Sequence, residues 1–328
     1  MNHVDEHFDS MGSRARVRLE SELLPTGELA ELARAVRASI DAAERALTRF
    51  DPASELARLN ADPRDAVPAS ALVARLAREA VWAGTTSRGL VDASLVDEIE
   101  REGYAESRTG VEPASLREAL DAAPARRPAR PRPRPGFSLL SVDAEGRVVR
   151  PPGVRLDSGG LGKGLAADVA AALIPDGVRY AISCGGDLAV GPDEWGIAVS
   201  SAWTGEEVHR LPVRAGGVAT SGIYQRLWRN PDGTFGHHVL DPSTGRPAWT
   251  GLVAATAAGA SAVRAEVLAK TALLSGPDGA RRVLRRAGGV LQHEDGRVEV
   301  VEPAPVVRLR RPVPGGPRPA SPLGGAAA

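Results

Sequence analysis

The pattern of apolar residues predicts an α+β fold, and three observations carry the prediction. Apolar side chains recur at three- and four-residue spacing through two early stretches, as amphipathic helices require. Beyond Gly136 the period shortens to the alternation of strands between glycine turns. Strands and helices follow one another there in mixed order, without the regular βαβ repeat of a parallel sheet.

Residues 14–19, R-A-R-V-R-L, alternate like a half-buried strand after a turn at Met11-Gly12-Ser13. A helix follows, with Thr26 as the expected N-cap and Leu29, Leu32, Ala33, Val36, Ile40, Ala43 and Leu47 on one face. A second helix covers about 69–86, with Leu72, Leu76 and Ala80 inward. Residues 124–136, P-A-R-R-P-A-R-P-R-P-R-P-G, break the pattern, because proline bars helix and sheet interiors; an extended, solvated loop is expected. Strands are expected at 180–183, 196–200, 208–213 and 252–258, and helices at about 164–174, 261–275 and 278–287. The tail, 306–328, has too few apolar residues to pack and is expected to be disordered. The chain thus divides into 1–123, the loop 124–136, 137–305 and the tail.

With 328 residues the chain can bury a real core as one large domain or two smaller ones. Its 41 basic and 41 acidic residues cancel, so no global field recruits nucleic acid or an anionic membrane; the basic run 124–136 reads as an exposed loop. One cysteine, Cys184, excludes an internal disulfide and a cysteine-built zinc site. The acidic N-terminus has no signal-peptide pattern, and no run of 18 apolar residues is present, so a cytoplasmic protein without a membrane span is expected.

The stretch 156–168, L-D-S-G-G-L-G-K-G-L-A-A-D, places an acid, four glycines and Lys163 before an alanine-rich helix. Such a loop lets backbone amides approach an anion at a helix start while the lysine adds a full charge, which suits a phosphate or pyrophosphate. The spacing excludes a P-loop, since Asp157 stands where the first glycine belongs, and Gly160, Gly162 and Gly164 are one residue too close for a dinucleotide fingerprint. A plain turn and helix start remains the alternative.

Three further clusters are candidates for chemistry, the first reading by itself as a tight turn and the second weak when taken alone. Ser183-Cys184-Gly185-Gly186-Asp187 sets a carboxylate at a strand end, and Ala219-Thr220-Ser221-Gly222 offers two hydroxyls beside a glycine. Gly236-His237-His238-Val239-Leu240-Asp241-Pro242-Ser243-Thr244-Gly245 describes a strand entering a rigid turn. There His238 is the candidate base, with Asp241 as its orienter.

Taken in order, M-G-S at 11, F-D-P-A-S-E-L-A-R-L-N at 50, G-L-V-D-A-S at 89, the loop at 156, G-G-D at 185, A-T-S-G at 219 and H-V-L-D-P-S-T-G-R-P at 238 resemble the ApbE family, from about residue 8 to 290. The resemblance implies an FAD site in a cleft between two α/β lobes. It implies an FAD:protein FMN transferase, which moves FMN from FAD onto a threonine or serine hydroxyl of an acceptor protein with an FMN-binding domain and releases AMP. Positioning and charge neutralisation carry the rate of such phosphoryl transfer. By motif match, Met11 and Phe50 would pack on the FAD rings, Leu90, Val91 and Asp92 would line the nucleotide, and Asp157 and Lys163 would hold the diphosphate. Asp187, Ser221 and Leu240 would complete the ligand site, and His238 would act as base toward the acceptor hydroxyl or as its orienter. Met11 and Phe50 could equally be core residues.

The resemblance also implies magnesium, held by a carbonyl at Gly160 and by an Asp and a Thr four residues apart on a late helix. Here Glu266 and Lys270 stand at those two positions; Glu266 can give an oxygen and Lys270 cannot. The pair reads either as an ordinary helix-surface bridge or as an ammonium set in the metal's region, with Thr271 one residue out of register. Asp92-Ala93-Ser94 replaces the family's usual Asp-Pro-Thr and keeps acid and hydroxyl. Two other functions stay open at this point: an FAD-binding protein that has lost metal-dependent transfer, and an FAD pyrophosphatase.

Overall fold

The structure is a computed structural model and describes residues 1–304; the expected disorder of 306–328 lies outside the described residues. Eight strands form one sheet in the order Asn2–Ser10, Ser13–Ser21, Arg179–Cys184, Asp187–Gly191, Gly216–Gly222, Leu252–Gly259, Gly289–His293 and Val298–Val301, with every neighbouring pair antiparallel. Spatial order equals chain order, so the long excursion between Ser21 and Arg179 carries five of the helices, Thr26–Leu47, Glu55–Ala61, Ala71–Thr86, Val96–Arg101 and Leu116–Ala122, together with the glycine-loop helix Gly162–Ala171.

Alternation along the strands gives the sheet two different faces. Val190, Val218 and Val290 meet the ribbon Trp195–Ser200 with Glu207–Val213, burying Trp195, Ile197, Val199, Leu211 and Val213. The opposite face carries small residues, including Gly217, Ala219, Ala257 and Gly259, and receives the late helix Ala262–Leu274. A Cβ at Gly217 would lie 2.4 Å from the Ala262 amide nitrogen, and one at Gly164 2.7 Å from Val263 Cα, so only glycine lets that helix sit so close to both sheet and loop.

Two helices cap each other. Asp168, at the end of the glycine motif, accepts from the Ala262 and Val263 amides at 2.8 and 3.1 Å and closes the start of the late helix. In return Glu266 Oε2 accepts from the Gly164 amide at 3.1 Å, in the first turn of the glycine-loop helix. This exchange fixes Lys270, one turn beyond Glu266, beneath the loop.

The first helix buries Leu29, Ala33, Val36, Ile40, Ala43 and Leu47 as the spacing predicts, while Leu32 is only half buried. Its N-cap is Pro25 rather than Thr26, and no side chain caps it. The helix Ala71–Thr86 starts on Ser70, whose hydroxyl accepts from the Val73 amide, and it buries Leu76 and Ala80.

Residues 124–136 are mostly exposed, as expected, with only Ala129 and Gly136 buried, but they are not a free excursion. The segment is extended, yet it is strapped across the body of the protein. The Arg127 amide donates to Trp249 O and the Ala129 amide to Leu274 O, while Arg130 exchanges backbone bonds with the Asp241 side chain and Ser243. Ala129 is buried, and Arg132 donates from Nε to Asp92 Oδ2 at 3.0 Å and from Nη2 to Ser94 Oγ at 2.6 Å. Prolines carry no amide to satisfy, so they occupy the positions between these contacts.

Candidate active site

A cavity of about 380 Å³ opens where the first hairpin turn, the glycine loop, the 90–109 region and the His238 turn converge. The hairpin turn aims Met11 into it: Met11 and Gly12 both have positive φ, 52° and 65°, between the paired Ser10 and Ser13. Phe50, Leu90, Val91, Asp92, Asp157, Gly160, Lys163, His238, Leu240 and Lys270 share the wall with it. Asp187, Ser221, Asp241 and Glu266 do not line the cavity.

Each of those four has a different reason. Asp187 is buried behind Lys163, its Oδ2 3.8 Å from Nζ. Ser221 is buried on the sheet face that receives the late helix, alternate to Gly217 and Ala219. Asp241 does not orient His238: its Oδ1 accepts from the Ser243 amide and hydroxyl, at 3.0 and 2.8 Å, and from the Arg130 amide at 3.1 Å. A carboxylate so engaged stabilises the turn that carries His238. Glu266 lies beneath the glycine loop, with Oε1 3.8 Å from Lys270 Nζ.

One wall is cationic. Lys163, Lys270 and Arg226 all line the cavity, and Arg226 Nη2 donates to Gly12 O at 2.6 Å, holding the hairpin turn against the site. Burial pulls the Lys163 ammonium down in pKa, but the carboxylates of Asp187 and Glu266 outweigh it and raise the value. Burial, then the Glu266 charge, push the Asp187 carboxyl upward against the pull of Lys163 and Lys270. The His238 imidazole is held well below its usual pKa, first by burial and then by Lys270, His237 and Lys163, so it is neutral at physiological pH.

The other wall is aromatic. Arg49 lies under Phe50 and Tyr104, its guanidinium carbon 4.3 and 5.1 Å from the two ring centroids, and Tyr104 stacks on Trp228 at 5.7 Å. Arg49 Nε stands 3.3 Å from Asp157 Oδ1, which ties the glycine-loop acid to this wall. Asp92, also in the wall, is held by Arg132 and Ser94.

A model of the ApbE family matches residues 11–292. The chain belongs to the ApbE family. The FAD:protein FMN transferase of Escherichia coli K12 is 27% identical over 273 residues, covering 79% of this chain and 75% of the relative. That of Salmonella typhimurium is 27% identical over 272 residues, with the same coverage. Among solved structures, the ApbE protein of Thermotoga maritima superposes with a TM-score of 0.76 at 23% identity over 92% of this chain and 97% of its own. The flavin transferase ApbE of Vibrio cholerae gives 0.67 at 18% identity over 91% and 97%. The fold is therefore the ApbE fold.

Within this ApbE chain the residues expected at a magnesium site do not fit a divalent ion. Gly160 O faces the Lys270 ammonium at 3.4 Å, Glu266 Oε2 is taken by the Gly164 amide, and Glu266 Oε1 faces Lys270. Among the described residues no group of three or more His, Cys, Asp or Glu is placed to hold a metal. Thr271 donates to Val267 O inside its own helix and takes no part. Cys184 is buried and its thiol pushed up to about 12, chiefly by burial, so it is no nucleophile. Sequence reading missed Arg49, Tyr104, Arg226 and Arg132. Arg49 adjoins Phe50 in its motif and could have been read with it, whereas Arg226 and Arg132 are single arginines among many whose partners lie far along the chain.

Proposed function

We propose that this chain is an FAD:protein FMN transferase, acting on an acceptor protein with an FMN-binding domain. One observation carries the reading: three cations, the glycine loop and a neutral imidazole share one cavity with the rings of Phe50 and Tyr104. Lys163, Lys270 and Arg226 are suited to the FAD diphosphate, and Phe50, Met11 and Leu240 to its rings. The acceptor hydroxyl oxygen attacks the FMN phosphorus, its proton passes to His238, and the bond to the AMP phosphate breaks so that AMP leaves with the electron pair. His238 is available as base because burial first, and then its cationic neighbours, keep the ring unprotonated. Magnesium has no place in this site. A cytoplasmic setting belongs to the same proposal; no helix among the described residues is long and apolar enough to cross a membrane.

The test is incubation with FAD and an acceptor fragment bearing the flavin-accepting threonine, read as mass gain of FMN on the acceptor and release of AMP. His238→Ala is expected to cut transfer by about 10² to 10⁴ while FAD binding by calorimetry stays near wild type. Equal transfer rates would remove His238 from the mechanism. AMP release without acceptor labelling would turn the reading to FAD hydrolysis.

A further inference from the structure

The late helix delivers an ammonium to the floor of the cavity, and its surroundings define what it can do. Lys270 Nζ lies 3.4 Å from Gly160 O and 3.8 Å from Glu266 Oε1. An ammonium has three N–H donors, and with one on Gly160 O it keeps donors for the cavity that Lys270 lines. Glu266 is nearly fully buried, with Oε2 on the Gly164 amide and Oε1 3.8 Å from this ammonium, so a divalent ion at Oε1 would stand beside a positive charge. Lys163 and Asp187 repeat the arrangement on the adjoining side, at 3.8 Å. Two buried carboxylates are thus matched by two lysines, each of which also faces the ligand space.

We propose that the Lys270 ammonium is a built-in cation that neutralises the diphosphate of FAD and excludes a divalent metal, so that this protein binds FAD without one. The proposal rests on the FAD reading above. An ammonium supplies charge and a hydrogen bond but no Lewis acidity, so it does not activate the acceptor hydroxyl by coordination. Proton removal then falls wholly on His238, on the same wall. The position is fixed by the mutual capping of the two helices rather than by the flexible lysine stem alone.

Two measurements on the unaltered protein decide the matter, FAD affinity by calorimetry in EDTA and in magnesium, and the electron paramagnetic resonance of added Mn²⁺ with FAD present. Equal affinity in both buffers and an unchanged spectrum of free Mn²⁺ are expected. Lys270→Met should weaken FAD about ten- to hundredfold, the loss of one charged hydrogen bond. Joint replacement, Glu266→Asp with Lys270→Thr, should give a protein that takes up Mn²⁺ and binds FAD more tightly with metal than without. FAD binding by the wild type only with metal, or stoichiometric uptake of Mn²⁺, overturns the proposal and leaves the flavin reading standing. A double variant as indifferent to metal as the wild type overturns Lys270 as the excluding group. FAD bound under neither condition overturns both readings.

Discussion

Two adjacent histidines show how one residue's depth separates structure from chemistry. His238 lines the cavity, whereas His237 is fully buried, its ring edge-on to Trp249 at 4.7 Å and its Nδ1 accepting from the Val239 amide at 3.3 Å. Burial holds His237 down at about 3, against about 6.5 in an unfolded chain. The native state therefore stays neutral while the unfolded chain gains a proton, and stability falls as pH drops from about 6.5 toward 3. The slope reaches about 1.4 kcal/mol per pH unit for one such group. Asp187, shifted upward, works in the opposite sense in the same window, so total stability is a poor probe. The difference between wild type and His237→Gln isolates the histidine. Urea unfolding at pH 7, 5.5 and 4.5 should show the wild type losing ground to the variant as acidity rises, and a pH-independent difference would refute the assignment. The pair H-H was legible as a site in the sequence, with His238 as the base; the sequestering of His237 was not, because that depends on a tryptophan and a strand pairing elsewhere.

At the scale of elements, the long helices were legible, while short helices such as Glu55–Ala61, Val96–Arg101 and Leu116–Ala122 and several strands were not. Apolar spacing found Thr26–Leu47 and Ala71–Thr86 because each buries one stripe, but Asn2–Ser10 went unread, since an edge strand of mostly polar residues has little apolar alternation. Gly216–Gly222 went unread for another reason: its small residues make room for the late helix and leave no apolar signal. The first hairpin carries a testable compromise. Both residues of its two-residue turn have positive φ, a conformation for which Asn-Gly or Gly-Gly is favoured, yet Met11 occupies the first position with its side chain in the cavity. Met11→Gly should relieve about 1 kcal/mol of backbone strain, against a modest loss of side-chain contact, and so leave the unfolding midpoint little changed. FAD affinity should nevertheless fall. Equal affinity in calorimetry would mean that Met11 is a core residue and the turn has no part in binding.

For the whole molecule, the segment 124–136 shows what composition cannot reveal. Prolines and arginines correctly predicted an extended, mostly exposed chain without α-helix or strand, but the ion pairs of Arg126 and Arg132 were illegible because their partners lie far away in sequence. Arg126 reaches Glu294, Arg130 meets the Asp241 turn, and Arg132 holds Asp92, whose side chain is wholly buried, so the strap joins the 92–98 region, the His238 turn and the far sheet edge. Replacing 124–136 with a short Gly/Ser linker that bypasses its path would leave the Asp92 carboxylate with Ser94 alone and remove the backbone amides that satisfy Trp249 O and Leu274 O. Breaking one buried ion pair by removing a partner costs about 3 to 5 kcal/mol, and each orphaned buried carbonyl adds about 1 to 3 kcal/mol. The Ser94 bonds reduce the first figure, so a loss of about 4 kcal/mol or more is expected in urea unfolding, with weaker FAD binding because Asp92 and Leu274 both line the cavity. Arg132→Gln should give an intermediate loss, since an amide can keep a hydrogen bond to Asp92 but not its charge. A linker variant with an unchanged midpoint and unchanged FAD affinity would show that the strap merely lies on the surface it crosses.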